Sequence, residues 1–200
     1  MRHEPRERMR VIAGVARGIP LRAPRDPATR PVTDRVKETL FGILGERVPG
    51  ARVLDLYAGS GALGIEALSR GAAHASFVER GREALAAIRH NLERTGLSGA
   101  ASVHGGDVMR FLGGAAPEAP FDLAFLDPPY AERAILAPLE RLGPLLSPDA
   151  GVVVKHFWRT EVPLPHGLAR WRERRFGETA LTFLVRVAPG QDRTDGVEEP

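Results

Sequence analysis

Short apolar runs alternate with helix-like segments through the middle of the chain, and that alternation restricts the fold more than any other feature. Arg52–Tyr57 (RVLDLY), His74–Glu79 (HASFVE), Ala101–Gly105, Phe121–Asp127 (FDLAFLD) and Gly151–Phe157 (GVVVKHF) read as strands. Ala62–Arg70, Arg82–Thr95 and Ala131–Leu142 read as the helices between them, with Leu85, Ile88 and Leu92 on one face of the second. Strands this apolar must be buried on both sides, which predicts a mostly parallel sheet with helices on both faces. Upstream, Thr33 or Asp34 can cap a helix reaching Glu46, its apolar face carrying Val36, Leu40, Ile43 and Leu44. Downstream the pattern breaks. Ala169–Phe176 and Thr179–Val187, joined at Gly177-Glu178, predict an antiparallel hairpin and bring the expected strand count to seven.

The chain has 200 residues, 43% of them apolar, enough for one well-filled core. We expect a single domain over residues 10–187, a flexible extension at 1–9 and a disordered acidic tail at 188–200. There is no cysteine, which excludes disulfides, thiolate metal sites and thiol nucleophiles and suits a reducing cytoplasm. No apolar run is long enough to span a membrane. The net charge is +3, but residues 1–37 hold ten Lys/Arg against four acids, while the tail from Ala188 holds one Arg against four acids. A basic arm (10–37) on a nearly neutral body suits a polyanionic partner; it also suits a merely solvated arginine-rich segment.

Asp55-Leu56-Tyr57-Ala58-Gly59-Ser60-Gly61 falls where the first strand meets its helix, the place where open parallel sheets bind ligands. Gly59, Gly61 and Gly64 also satisfy the dinucleotide fingerprint, with Glu79 ending the next strand as an acceptor for ribose hydroxyls. Asp55 separates the two readings. A carboxylate is unwelcome beside a pyrophosphate, whereas S-adenosyl-L-methionine carries an ammonium and a sulfonium and no phosphate. Asp107, after Gly105-Gly106, can accept from an adenine amine or act as a plain turn residue.

Asp127-Pro128-Pro129-Tyr130 closes the fourth strand in the same row. Two prolines stiffen the segment and remove N–H groups. Asp127 and the Pro128 carbonyl then become fixed acceptors, and Tyr130 offers a ring on which a base can stack. An exocyclic base amine needs that help, because its lone pair is delocalised into the ring. Two acceptors on its hydrogens turn the lone pair toward a methyl donor. A base inside a duplex cannot be presented this way, so it must be looped out or flipped.

Together these stretches resemble the bacterial 16S rRNA guanine-N2 methyltransferases that act at the guanine conventionally numbered 966. The likeness spans roughly residues 10–187. It is carried by Val11–Gly14 with Arg17-Gly18, by Arg30–Glu38, by Leu54–Gly71, by Phe77–Glu79, by Phe125–Tyr130 and by Gly177–Thr179. The resemblance implies a Rossmann-like class I methyltransferase fold, S-adenosyl-L-methionine as cofactor, and 16S rRNA in an assembling 30S particle as partner of a monomeric cytoplasmic enzyme. Carried over by motif, Asp55, Tyr57, Ala58, Gly59, Gly61, Glu79, Arg80, Asp107 and Val108 would hold the cofactor. Asp127, Pro128, Pro129 and Tyr130 would form the catalytic segment. Arg17, Arg30, Arg35 and Lys37 would face RNA or close over the site. One position departs: the fifth strand ends in Lys155-His156, where the family leads us to expect an acid.

The remaining features read as structural. The six histidines lack metal-ligand spacing. Trp158 and Trp171 read as packing residues, and the even-numbered arginines Arg170, Arg172 and Arg174 read as one solvated face of a hairpin strand. Ser60 is not in a hydrolase elbow. Three rivals stay open: transfer to a DNA base or protein amide, for which Asn before the prolines would be usual; a non-catalytic RNA-binding module; and a nicotinamide dehydrogenase.

Overall fold

A computed structural model describes residues 9–24, 32–114, 116–128 and 133–187. Its strands are β1 (Arg52–Leu56), β2 (His74–Glu79), β3 (Ala101–Gly105), β4 (Phe121–Leu126), β5 (Leu146–Phe157), β6 (Leu168–Phe176) and β7 (Thr179–Arg186). Its helices are α1 (Asp34–Leu44), α2 (Ala62–Ser69), α3 (Arg82–Thr95), α4 (Val108–Leu112) and α5 (Arg133–Leu142). The sheet has the order β3-β2-β1-β4-β5-β7-β6. Strands β1 to β5 run parallel, β7 is antiparallel to β5, and β6 is antiparallel to β7. This is the Rossmann-like arrangement of class I methyltransferases, with the expected hairpin at its edge.

The two faces of the sheet bury separate apolar layers. Leu40, Phe41 and Leu44 of α1, Ile65 of α2 and Ile88 of α3 pack on Phe77, Phe125 and Phe183 on one side. Leu139 and Leu142 of α5 pack on Leu54, Leu56, Val152 and Leu184 on the other. Each such side chain taken fully out of water contributes about 1.5–3 kcal/mol.

Three expectations are corrected. Met9 does not belong to a loose extension: it is 7% exposed, and its carbonyl accepts from Leu21 N at 2.8 Å. Strand β5 starts at Leu146 rather than Gly151, with Ser147-Pro148-Asp149 taken up by an irregularity in the pairing opposite Phe121–Leu123. On β6, Arg172 and Arg174 share a face as expected, and Arg170 does not join them. A bulge between Arg170 and Arg172 sets Arg170 opposite Leu184 and Arg172 opposite Phe183, and those two partners point to opposite sides. Helix α4, unread in the sequence, begins at Asp107, whose Oδ1 accepts from Met109 N at 2.9 Å and Arg110 N at 3.1 Å. Residues 1–8 and 188–200 of the expected termini lie outside the described residues.

The arm from Met9 to Arg22 is a tight turn held by Val11 N to Ile19 O (3.0 Å) and Gly18 N to Val11 O (2.8 Å). Gly14 sits at φ +83° against the end of α2, where a Cβ would lie 1.7 Å from the Ser69 carbonyl oxygen. Only glycine allows that approach.

Candidate active site

The site lies at the carboxyl ends of β1 and β4, where the sheet reverses direction of growth. Leu56 of β1 pairs with Val78 on one side and with Leu126 on the other. Tyr57, Glu79 and Asp127, which end or follow those strands, therefore fall on one edge. Such a crevice outside the strand ends is where open α/β sheets place ligands.

The glycine loop is fastened from both sides. Tyr57 turns the chain at φ 59°, a conformation that costs a non-glycine residue energy and persists where the surroundings enforce it. Ala58 N donates to Val78 O at 3.1 Å, and Gly61 N to Ala58 O at 2.7 Å. The Glu79 carboxylate receives Gly59 N at 2.9 Å on Oε2, and Arg80 N at 2.8 Å and Gly81 N at 2.7 Å on Oε1. Oε1 is filled by those two amides, while Oε2 keeps one lone pair for a ligand hydroxyl. Ala58 and Val108 are buried walls, and Arg80 and Asp107 are exposed. Burial pushes the Tyr57 phenol up, and the Asp107 carboxylate adds to this.

Asp55 is the electrostatic centre of this half. It is 2% exposed, and its Oδ2 accepts from Gly64 N at 2.9 Å. Burial pushes its carboxyl up to about 8; the Gly64 bond opposes this, and Asp127 and Glu79 add to it. An acid held this way gains from a cationic ligand. Gly64 is required by the packing itself, since a Cβ would meet Phe77 Cε1 at 2.3 Å and Asp55 Oδ2 at 3.2 Å.

Asp127 forms the other half. Lys155 Nζ from β5 reaches both of its carboxylate oxygens at 2.7 Å. Burial raises the Asp127 carboxyl and Lys155 pulls it back. Pro128 is buried beside it. Pro129 and Tyr130, assigned to the same segment, lie outside the described residues.

Sequence reading missed two positioning residues. Asn91 is fully buried, and its Nδ2 donates to Ser60 O at 2.9 Å and Arg22 O at 3.0 Å while Oδ1 accepts from Arg22 N at 2.7 Å. It ties α3, the glycine loop and the arm together. A polar residue next to Leu92 and three after Ile88 was the available signal. Glu66 is likewise fully buried, accepting from Ile12 N at 2.8 Å, Ala13 N at 3.0 Å and Arg70 Nε at 2.8 Å.

Of the four residues expected to face RNA, Arg17 and Arg35 are exposed and Arg30 lies outside the described residues. Lys37 does not face outward. It is 0% exposed, donates to the Arg10 carbonyl, and lies 3.8 Å from both Glu66 and Asp34. Beside Val36, Leu40 and Leu44 on the buried side of α1, Lys37 answers the buried Glu66. Elsewhere, the guanidinium groups of Arg175 and Arg159 lie 3.6 Å and 4.7 Å from the centre of the Trp158 ring, and Trp171 packs edge-on against Phe183. Among the described residues, no helix is long and apolar enough to cross a membrane.

The model of the family described as conserved hypothetical protein 95 matches residues 9–185. YlbH of Bacillus subtilis (strain 168) is 41% identical over 182 residues, covering 89% of this chain and 99% of that protein. Ribosomal RNA small subunit methyltransferase D of Escherichia coli (strain K12) is 36% identical over 198 residues, covering 96% and 98%. The solved structure of yhhF from Escherichia coli superposes with a TM-score of 0.79 at 35% identity, covering 90% of this chain and 99% of that one.

Proposed function

The chain belongs to the family described as conserved hypothetical protein 95, and from that premise we propose that it methylates the exocyclic N2 amine of a guanine in 16S rRNA. It is an rRNA methyltransferase that uses S-adenosyl-L-methionine, as its relationship to the small-subunit methyltransferase of Escherichia coli supports. The single observation that carries the finer reading is the placement of Asp127 at the end of β4, on the edge shared with Asp55 and Glu79.

The cofactor supplies an electrophilic methyl group. Asp55 faces its positive charge, the backbone of Tyr57, Ala58, Gly59 and Gly61 forms the floor, Glu79 and Arg80 border the ribose, and Asp107 and Val108 border the adenine. Asp127 and the Pro128 carbonyl accept the hydrogens of the target amine, with Pro129 stiffening the segment and Tyr130 stacking on the base. Asp127 also stabilises the positive charge that grows on nitrogen. Arg17, Arg30 and Arg35 contact RNA phosphates. The enzyme works as a monomer in the cytoplasm on an assembling 30S particle. The test is transfer of a labelled methyl group to unmodified 16S RNA, naked and within 30S particles, followed by nucleoside analysis. We expect N2-methylguanosine, formed faster on particles. A labelled adenine or cytosine would overturn the base assignment, and no label would overturn the reading.

A further inference from the structure

Lys155 stands where an acid is expected, and its contacts say what it does there. Its ammonium is held by the two Asp127 oxygens, each at 2.7 Å, and its side chain is only 12% exposed. Among the described residues it hydrogen-bonds to nothing else. β5 lies directly beside β4, with Val154 paired to Leu126, so each partner follows a paired residue. The contact is therefore set by the sheet register rather than by two long side chains meeting on a surface. A surface ion pair is worth little; here Asp127 is 30% exposed and Lys155 12%, so the pair is partly shielded and is screened less than one on the open surface.

We propose that Lys155 is a positioning residue of the methyl transfer: it grips both oxygens of Asp127, fixes the rotation of that carboxylate and holds it in the anionic form that receives the target amine. This rests on the reading of Asp127 as the acceptor for the amine. An ionised carboxylate has about four lone-pair sites. Lys155 occupies one on each oxygen and leaves one on each for the substrate. An ammonium has three donors and no acceptor, so Lys155 cannot compete for the proton that the reaction releases. In the transfer, the amine lone pair forms the N–CH3 bond. The C–S bond breaks with its electron pair passing to sulfur, which leaves as the neutral thioether. The surplus proton on nitrogen passes to an Asp127 oxygen and then to solvent. The neighbouring ammonium favours that last release, because it stabilises the carboxylate over the acid.

Among the described residues, the charged groups facing Asp127 from the adjoining strands are Lys155 on β5 and Asp55 on β1, and Glu79 at the end of β2 acts on Asp55 in turn. Removing Lys155 thus leaves a half-buried Asp127 with Asp55 as its charged neighbour. Its proton affinity rises, and the enzyme becomes inactive over a wider acidic range.

The experiment is the pH profile of kcat/KM for methylation of 30S particles by wild type, Lys155→Met, Lys155→Gln and Lys155→Arg. Calorimetric cofactor binding at each pH confirms that each variant folds. An opposite charge this close lowers a carboxyl pKa by about 1–3 units, so the acidic limb should move up by about that much in the Met and Gln variants. It should return to its wild-type position in the Arg variant. A lower rate with an unmoved limb would overturn the proposal, since a purely structural lysine would have that effect. Difference infrared spectra of wild type against Asp127→Asn read the carboxyl directly without any lysine variant. A carboxylate band at pH 7 is expected, and a protonated carboxyl band would overturn the proposal. Failure of wild type to methylate guanine would instead count against the function assigned above.

Discussion

The Lys37 ammonium and the Glu66 carboxylate face each other at 3.8 Å with neither side chain exposed to solvent. Glu66 also receives the Ile12 and Ala13 amides, and Lys37 donates to the Arg10 carbonyl. One enclosed pair thus binds α1 and α2 to the arm that packs on the glycine loop. Removing one partner of such a pair is expensive, because it strands the other charge. Lys37→Met should cost about 3–5 kcal/mol, measured by urea unfolding. The folded fraction should bind RNA with an unchanged salt dependence, because Lys37 reaches no phosphate.

Asp55 gives stability and cofactor binding opposite pH trends. Burial pushes its folded carboxyl up to about 8 from the ordinary 3.8. Between those values the folded state holds more protons than the unfolded state, so the Asp55 contribution weakens stability as pH rises from about 4 to about 8. Asp55→Asn should therefore raise the melting temperature at pH 8 more than at pH 5. Cofactor affinity in wild type should instead fall as pH drops below 8, because binding an ammonium beside Asp55 requires the proton to leave. Calorimetry in buffers of different ionisation heat should register that proton.

Gly64→Ala should be damaging although alanine favours helices. The new methyl would lie 2.3 Å from Phe77 Cε1, and a forced fit in a packed core costs about 1–3 kcal/mol. The shift also pushes on Asp55, so cofactor affinity should fall with stability. Thermal unfolding with and without cofactor checks both.

Arg17 and Arg35 are exposed, unlike Lys37. If each neutralises one RNA phosphate, Arg17→Glu and Arg35→Glu should each lower RNA affinity and reduce the slope of log K against log salt by about 1. Filter binding across a salt series measures this, and cofactor affinity should not change.

Most of the frame was legible because it depends on local signals. Apolar strands, Gly96 after α3 and the Thr33 cap of α1 locate most elements to within a residue or two, the start of β5 and the short α4 excepted. The loop from Asp55 to Gly61 and the Asp127 segment stood out because their residue types are unusual at strand ends. What escaped was set by distant partners. Lys37 reads as a surface lysine until Glu66, 29 positions on, is seen beneath it. Asn91 reads as a helix-surface residue until Ser60 and Arg22 are brought to it. The bulge that separates Arg170 from Arg172 depends on how β7 presents Phe183 and Leu184. Lys155 stands out in the sequence as a departure, but its grip on Asp127 needs the β4–β5 register.

The central claim is that Asp127 holds the target amine while the cofactor is held by other residues of the site. Single-turnover methylation of unmodified 30S particles by cofactor-loaded Asp127→Ala tests it most directly. The account predicts a rate lower by several orders of magnitude, with S-adenosyl-L-methionine affinity close to that of wild type. A variant that still forms N2-methylguanosine at the wild-type rate would contradict it.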